Sequence, residues 1–233
     1  MSHSDQTWVK KELPASVQKL GMILLGIGLA AGVIGLIIDP HKFLLNYLIG
    51  YVLLVSIGAG SLFMVALEYI AGADWSVPIR RVNEFYASAV LLLIVLALPI
   101  IFNLKTVFHW ADPAVVANDK ILMGKSAYLD STFFIIRIIV AAGLWSLFYL
   151  VLSKNSKTQD TTKDQSLTKK NIVLSAIFIP LFALTITVVS VDWLMSLEPH
   201  WFSTIFGVYF FSGSVLASLA VVTFTVVLLK EHG

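Results

Sequence analysis

The chain has 233 residues, of which 58% are hydrophobic and only 13% are charged, and its mean hydropathy is +0.88. A soluble globular domain carries about a quarter charged residues, and a disordered chain combines low hydrophobicity with high charge, so both classes are excluded. The net charge of +2 confines basic character to local clusters, and no nucleic-acid partner is expected. Because the chain has no cysteine, it cannot form a disulfide or ligate haem or an iron–sulfur cluster through thiolate.

Six stretches nearly free of charge are each long enough to cross the hydrocarbon core as a helix, which takes about 20 apolar residues. They cover residues 20–38, 43–67, 85–104, 131–153, 171–191 and 199–229. Helices are favoured because they satisfy their own backbone hydrogen bonds in lipid, and the short alternating strands of a barrel are not seen in the sequence. We therefore predict an all-α membrane protein with about six transmembrane helices in a single polytopic domain, residues 1–233. The first stretch exceeds the roughly 7–15 residues of a signal-peptide core, so we expect it to be retained.

Lysine and arginine are distributed unequally between the two sides of the predicted membrane domain. Eleven lie in the N-terminal tail, the second and fourth connections and the C-terminal end, whereas four lie in the other connections. The side richer in Lys and Arg is usually cytoplasmic, so both termini are predicted to be cytoplasmic. We expect residues 1–19 to form a cytoplasmic tail and residues 154–170 a mobile, polar cytoplasmic loop. Residues 103–130 lie on the outer side, where we expect an ordered cap or a partner surface.

Proline and tryptophan mark the ends of several predicted spans. Pro40 is expected to end the first helix and Pro78 to occupy the first turn of the third. Pro99 and Pro180 lie inside spans and predict kinks unless neighbouring groups satisfy the freed carbonyls. Four tryptophans lie near span ends, where an aromatic belt forms at the membrane interface: Trp75, Trp110, Trp193 and Trp201.

An ionisable side chain inside a membrane is costly and is therefore a candidate for function. Glu68 ends the second span, and Ser61 lies one heptad earlier on the same helical face. Together they could hold water and pass protons from the cytoplasm. The alternative is that Glu68 reaches the interface and pairs with Arg80 or Arg81.

Arg137 and Asp192 are the other two candidates. Arg137 lies about two turns into the fourth span, and Asp192 closes the fifth span in the same outer half of the membrane. A guanidinium group keeps its charge, so Arg137 needs a partner, and Asp192 is the natural one. The pair is expected either to fix the fourth helix against the fifth, or to gate a proton path or hold a polar ligand.

Small residues recur at helical spacing, a pattern that lets helices approach closely. The pairs are Gly28 and Gly32, Ser56 and Gly60, and Ser214 and Ser218. We expect them to serve packing, within this chain or against a neighbour.

Two longer segments resemble one known family. Residues 73–84 read ADWSVPIRRVNE, and residues 192–209 read DWLMSLEPHWFSTIFGVY. Together with the order of the spans, they are similar to the F subunit of bacterial alternative complex III, a quinol:cytochrome c (or high-potential acceptor) oxidoreductase. That subunit belongs to the polysulfide-reductase-type integral membrane subunits. The positions that match the family motifs are Asp74, Trp75, Pro78, Arg80, Arg81, Glu84, Asp192, Glu198, His200 and Trp201.

The resemblance implies a subunit of a large respiratory complex in a bacterial inner membrane. Haem c and iron–sulfur clusters would lie on partner subunits, namely a multihaem cytochrome c and an iron–sulfur protein, and a quinol-binding paralogue would oxidise most of the quinol. This chain would carry no cofactor or metal of its own, would have quinone nearby and lipid around it, and would have no catalytic activity alone.

The family fold has two four-helix bundles with flanking spans. Helices two to five of this chain would form the first bundle, so the resemblance predicts an incomplete version of the two-bundle fold. Within such a complex the chain would support assembly and conduct protons. One alternative is a purely structural scaffold subunit. A less favoured alternative is a secondary transporter, which requires helices broken near the membrane midplane.

Overall fold

A computed structural model describes residues 15–73 and 76–231, which form helices and turns with no strand among them. Six helical segments are long and apolar enough to span a membrane, which confirms the predicted all-α fold class and the number of spans. They are Gln18–Ile38, Pro40–Ala71, Val77–Ile101, Ser131–Thr162, Ser166–Leu197 and Phe206–Lys230. Contacts divide the chain after Phe43 into two compact units.

The first unit contains helix α1, Ala15–Ile38, and the start of α2, Pro40–Ala71. Asp39 lies between them, and its Oδ1 accepts a hydrogen bond from the backbone N–H of Lys42 at 3.0 Å. This bond caps α2, while Pro40 takes the first helical position, where its missing N–H does no harm. The prediction that the first helix ends before Pro40 is confirmed.

The second unit contains the rest of α2 and all later elements. The third span is composed of α3, Val77–Ala87, a 3₁₀ turn, Ser88–Leu92, and α4, Leu93–Ile101. Three short helices follow, α5 (Leu104–Val107), α6 (Pro113–Val116) and α7 (Lys120–Lys125). The last three spans are formed by α8 (Ser131–Thr162), α9 (Ser166–Trp193) and α10 (Phe206–Glu231). Pro78 lies in the first turn of α3, as predicted, and α9 continues through Pro180.

Spans two to five form the predicted four-helix bundle. Side chains from all four spans line one small internal gap: Tyr51, Val55, Leu93, Ile138, Ala141, Ala142, Trp145, Val189 and Trp193. The ring centroids of Tyr51 and Trp193 are 4.6 Å apart, and those of Trp145 and Phe182 are 5.6 Å apart. Aromatic rings therefore fill much of the bundle interior.

Small residues let α10 pack closely against α2, outside the bundle. A Cβ atom at Gly60 would collide with the backbone of Ser214 in α10. The hydroxyls of Ser61 and Ser218 form a hydrogen bond of 2.8 Å across the same interface. Ser214 and Ser218 are both fully buried. The predicted packing role is confirmed for Gly60, Ser214 and Ser218, whereas a Cβ atom at Gly28 would meet no atom within 4 Å.

The prediction of a mobile loop over residues 154–170 is wrong. Helices α8 and α9 extend through most of this segment, and only residues 163–165 connect them. Asn155 Nδ2 donates to Asn171 Oδ1 at 2.8 Å across the hairpin, and Lys163, with φ of 57°, ends α8. Some of the polar residues in this segment are thus hydrogen bonded between the two helices, as Gln159 is to Thr168.

Residues 103–130 form an ordered cap, as predicted. Aspartate side chains cap helices in this segment. The carboxylate of Asp130, for example, accepts a hydrogen bond from the backbone N–H of Phe133 at 3.0 Å and so caps α8. Phe108 and Trp110 are buried residues of the cap, and each ring centroid lies 5.3 Å from that of Phe134 in α8.

The aromatic-belt prediction is wrong for two of the tryptophans. Trp110 is 3% exposed and Trp193 is 2% exposed, so both pack inside the protein. Their position near a span end was read correctly, but the helix face on which they lie points to the core. Trp201 is 51% exposed, and Trp75 lies outside the described residues.

Candidate functional site

Arg137 and Asp192 form an ion pair between α8 and α9, as predicted. Arg137 lies in the second turn of α8 and Asp192 in the last turn of α9, at what we call the Asp192 end of the bundle. Arg137 Nε donates to Asp192 Oδ2 at 2.7 Å. The Asp192 side chain is 2% exposed and that of Arg137 is 18% exposed, so each charge depends on the other for stabilisation.

Each member of the pair keeps one polar atom without a hydrogen bond. Arg137 Nη2 and Asp192 Oδ1 are buried and have no partner among the residues that the structure describes. An unsatisfied buried polar group costs about 1–3 kcal/mol. The pair therefore leaves one donor of Arg137 open to a further group, such as water or a ligand, and leaves the Asp192 carboxylate open to the Tyr128 hydroxyl or to such a group.

Tyr128 lies against the pair. Its ring centroid is 4.1 Å from Arg137 Cζ, which makes a cation–π contact. Burial, followed by the negative charge of Asp192, raises the pKa of Tyr128 to about 12. The phenol therefore stays protonated at physiological pH and keeps a donor hydrogen. No sequence pattern pointed to Tyr128, because it lies in the cap outside the predicted spans.

A cavity of about 350 Å³ opens beside this cluster. Its lining is mainly apolar: Gly124, Lys125, Ala127, Tyr128, Leu129, Val191, Met195, Ser196, Pro199 and Trp201. The cavity thus has apolar walls next to a buried ion pair, a combination suited to an amphipathic ligand.

Two contacts hold α7 and its capping residue to the segment that follows α9, and the first of them borders the cavity. Lys125 Nζ donates to the backbone carbonyl of Pro199, and His200 Nε2 lies 2.7 Å from Asp119 Oδ2. His200 Nδ1 also lies 3.4 Å from a carboxylate oxygen of Glu198. His200 therefore links the cap to the segment after α9, and Glu198 contacts His200 within that segment.

Glu68 forms a second cluster at the opposite end, which we call the Glu68 end. It lies in the last turn of α2 and is 4% exposed. Arg80 Nε donates to its Oε2 at 3.2 Å, and Asn83 Nδ2 donates to its Oε1 at 2.6 Å. Arg80 also covers the Tyr69 ring, with Cζ 4.4 Å from the centroid. The pairing of Glu68 with Arg80, one of the two alternatives for this residue, is present.

Arg81 connects this end to α8. Its guanidinium group contacts both the Glu84 and the Asp160 carboxylates. Glu84 is 3% exposed, and its Oε1 is buried without a hydrogen-bond partner in the described part of the chain. Sequence reasoning missed Asn83 and Asp160. Asn83 could have been found, because it lies three residues after Arg80 on one face of α3, but nothing in the sequence links Asp160 to Arg81.

The structure does not join Ser61 to the Glu68 cluster. Ser61 donates or accepts across to Ser218 in α10, whereas α3 supplies the partners of Glu68. The motif residues Asp74 and Trp75 lie outside the described residues. Trp201 packs edge-on against Phe206, with ring centroids 5.7 Å apart.

The middle of the bundle separates the two charged clusters. It is filled by buried aromatic and aliphatic side chains such as Val55, Leu93, Trp145 and Phe182. Across the described ranges, no hydrogen-bonded chain of side chains runs from Glu68 to Asp192. In the same ranges, no three His, Asp or Glu side chains come together as a metal-binding group.

The fold and the buried charges define a class, a multi-pass α-helical membrane protein. Comparison of the sequence with protein-family models gave no match, and comparison with curated proteins gave none either.

Proposed function

We propose that this chain is a non-redox membrane subunit of a respiratory quinol:acceptor oxidoreductase complex, where it supports assembly and conducts protons across part of the membrane. Residues 73–84 and 192–209, which resemble the F subunit of alternative complex III, motivate this assignment. Its partners would be a multihaem cytochrome c, an iron–sulfur protein and a quinol-binding paralogue, and those partners would carry haem c and the iron–sulfur clusters. The complex would lie in a bacterial inner membrane, with both termini of this chain cytoplasmic.

The observation that carries the proton-conducting role is the Arg137–Asp192 pair. An intramembrane ion pair with an unpaired donor and an unpaired acceptor costs stability that a purely apolar contact would not. Because the guanidinium group keeps its charge, Asp192 is the member that can exchange a proton. Tyr128 and the neighbouring cavity supply a donor and space for water or a quinol head group.

Because the middle of the bundle is apolar, this role is limited to a half-path, that is, to proton transfer over only part of the membrane thickness. Protons would move between the Asp192 cluster and the adjacent surface or a partner subunit, without crossing the bundle along its own side chains. The Glu68 cluster could serve the opposite half-path only in combination with a partner.

A scaffold role is the second candidate, and the Glu68 cluster favours it. Its carboxylates are held by arginine and amide groups that tie α2, α3 and α8 together. Each Glu68 oxygen accepts one hydrogen bond from α3, and pairing of this kind stabilises helix positions.

The experiment is to purify the complex through a tag on this chain with Asp192→Asn. The amide keeps an acceptor for Arg137 but cannot carry a proton. We expect the cytochrome and iron–sulfur subunits to co-purify, and quinol-coupled proton release to fall by about 100-fold, the low end for a positioned proton-transfer group. The control is Asp112→Asn, the same change at a helix cap of the same end, where the amide still accepts from Ala114 N.

Two results would contradict the proposal. If the Asp192→Asn complex assembles and matches the control in turnover and proton release, the Asp192 half-path is wrong. If no cytochrome c or iron–sulfur subunit co-purifies with the unaltered chain, the assignment to such a complex is wrong.

A further inference from the structure

A groove between α8 and α9 lies on the outer surface of the bundle at the Glu68 end. It has a volume of about 600 Å³. Two residues of α8 and four of α9 line it: Val151, Asn155, Lys169, Lys170, Val173 and Leu174. Neither charged cluster described above contributes to it, so it is a separate feature of the surface.

The groove changes from cationic to apolar along its length. Lys169 and Lys170 lie near the start of α9, and Val173 and Leu174 follow one helical turn later, about 6 Å further along the axis. Val151 supplies an apolar wall from α8. One end of the groove therefore attracts an anion, and the other end offers only apolar contact.

The positive charges at the rim of the groove are not neutralised by ion pairs within the protein. Lys169 and Lys170 are exposed, and neither forms an ion pair with the described carboxylates. Asp164 interacts electrostatically with Lys170, but the pKa of Asp164 lies below its usual value mainly because of hydrogen bonds from Ser166. Both Asp164 oxygens are taken by Ser166, at 2.8 Å from its N–H and 2.7 Å from its hydroxyl.

The depth of the groove fits the headgroup region of a bilayer. α8 has 32 residues and α9 has 28, so they are about 48 Å and 42 Å long, whereas the hydrocarbon core is about 30 Å thick. The ends of both helices therefore extend past the hydrocarbon. With the hydrocarbon core placed over the uncharged residues 171–191, Lys169 and Lys170 fall at the level of the lipid phosphates, and Val173 and Leu174 fall at the start of the acyl chains.

We propose that this groove binds an anionic diacyl phospholipid, with its headgroup phosphate at Lys169 and Lys170 and one acyl chain along Val151, Val173 and Leu174. Basic recesses between helices at a membrane face bind acidic lipid headgroups through the same combination of charge and apolar contact. The site is independent of the proposed respiratory role.

The test compares lipid retention by the purified full chain. The probes are phosphatidylglycerol and phosphatidylcholine with identical acyl chains, added to detergent micelles that contain the protein. Native mass spectrometry counts the lipids bound to each chain. The unaltered chain should retain phosphatidylglycerol preferentially. The double variant Lys169→Gln, Lys170→Gln should weaken this retention about 30-fold, because each lysine near the membrane surface contributes about fivefold.

Two further variants distinguish lipid binding in the groove from general attraction to surface charge. Lys154→Gln with Lys157→Gln removes the same charge from exposed positions of α8 outside the groove, and it should retain phosphatidylglycerol like the unaltered chain. Val173→Trp fills the groove at an exposed position without changing charge and should also lose retention. Glycerol 3-phosphate, which has no acyl chains, should not compete.

Circular dichroism establishes that each variant is folded. The proposal is overturned if the Lys169, Lys170 variant keeps its preference for phosphatidylglycerol, if the Lys154, Lys157 control loses it equally, or if Val173→Trp retains the lipid. Competition by glycerol 3-phosphate would also overturn it, because it would reduce the site to a phosphate site.

Discussion

At the scale of single residues, the buried charges of this protein are stabilised in pairs rather than individually. Arg137 and Asp192 come from positions 55 residues apart and meet at 2.7 Å. Either charge alone would be costly at this depth, since burial removes its hydration and the interior offers little in return. The pair therefore fixes α8 against α9 and, in the proposed function, also holds the exchangeable proton.

A double-mutant cycle tests the strength of this coupling. Arg137→Met leaves the Asp192 carboxylate buried and unpaired, so it should lower the free energy of unfolding by about 3–5 kcal/mol. The variant Arg137→Met with Asp192→Leu should lose less than Arg137→Met alone, because no unpaired charge remains. The cycle is completed by measuring, in one detergent, the unfolding free energies of the unaltered chain, the two single variants and the double variant. Simply additive losses would show that the two side chains are not coupled.

Asp119 should make the cap sensitive to acid. Backbone N–H groups of Leu122 and Ile121, together with His200, hold the pKa of this carboxyl below its usual value. The carboxylate therefore contributes stability above its unfolded pKa, near about 4, and this contribution is lost as pH falls through the lower folded value.

Asp119→Asn should remove that dependence, because the amide can still cap α7 but does not titrate. The measurement is the thermal unfolding midpoint at a series of pH values from 6 down to 3. We expect the unaltered chain to lose more stability on acidification than the variant. Parallel curves for the two proteins would refute the role of Asp119.

At the scale of elements, α2 contacts two of the later helices in the second unit. It packs against α9 through Tyr51 and Trp193, and against α10 through Gly60 and Ser61. In lipid, apolar surface provides little driving force between helices, so close contact at small residues has to supply the attraction.

Two glycines of α2 give a matched comparison. A Cβ at Gly60 would collide with the Ser214 backbone, whereas a Cβ at Gly50 would meet no atom within 4 Å. Gly60→Ala should lower the free energy of unfolding by about 1–3 kcal/mol, as overpacking does. Gly50→Ala should cause no loss, because alanine favours a helix by about 1 kcal/mol over glycine. Equal effects of the two substitutions in chemical denaturation would contradict the close α2–α10 contact.

The α8–α9 hairpin is the element for which the prediction from composition was wrong. Lys, Thr, Asp and Ser over residues 154–170 are typical of a flexible loop when only composition is considered. Helices can instead continue beyond the membrane when their polar residues pair with each other, as Asn155 does with Asn171. Composition does not record such pairing, because it depends on the neighbouring helix.

At the scale of the whole molecule, the uneven distribution of Lys and Arg predicts the orientation. Lys163 lies between α8 and α9, and Lys120 begins α7 in the cap. The chain has no cysteine, so a single cysteine introduced at either position reports the side of the membrane without a background.

In intact cells, Lys120→Cys should react with a membrane-impermeant maleimide, and Lys163→Cys should react only after permeabilisation. Both positions are exposed in the fold, so a lack of reaction reflects the membrane barrier. The reverse pattern would invert the orientation and would place the Asp192 end on the cytoplasmic side.

The sequence by itself determined the class of protein and the six spans. A run of about 20 apolar residues is a local property. Because backbone groups without hydrogen bonds are costly in lipid, such a run forms a helix. The roles of Pro40 and Pro78 at helix ends were predicted for the same reason, since they involve residues only a few positions apart.

Only the tertiary structure decided which side each helix turns to its neighbours. Lipid and protein interior are about equally apolar, so hydropathy does not distinguish a tryptophan that faces the core, such as Trp193, from one at the membrane interface. Tyr128 beside Arg137, and Asp160 beside Arg81, depend on the same rotation and pairing of helices. Contacts between residues far apart in the chain arise from that packing, and hydrophobic pattern alone does not specify it.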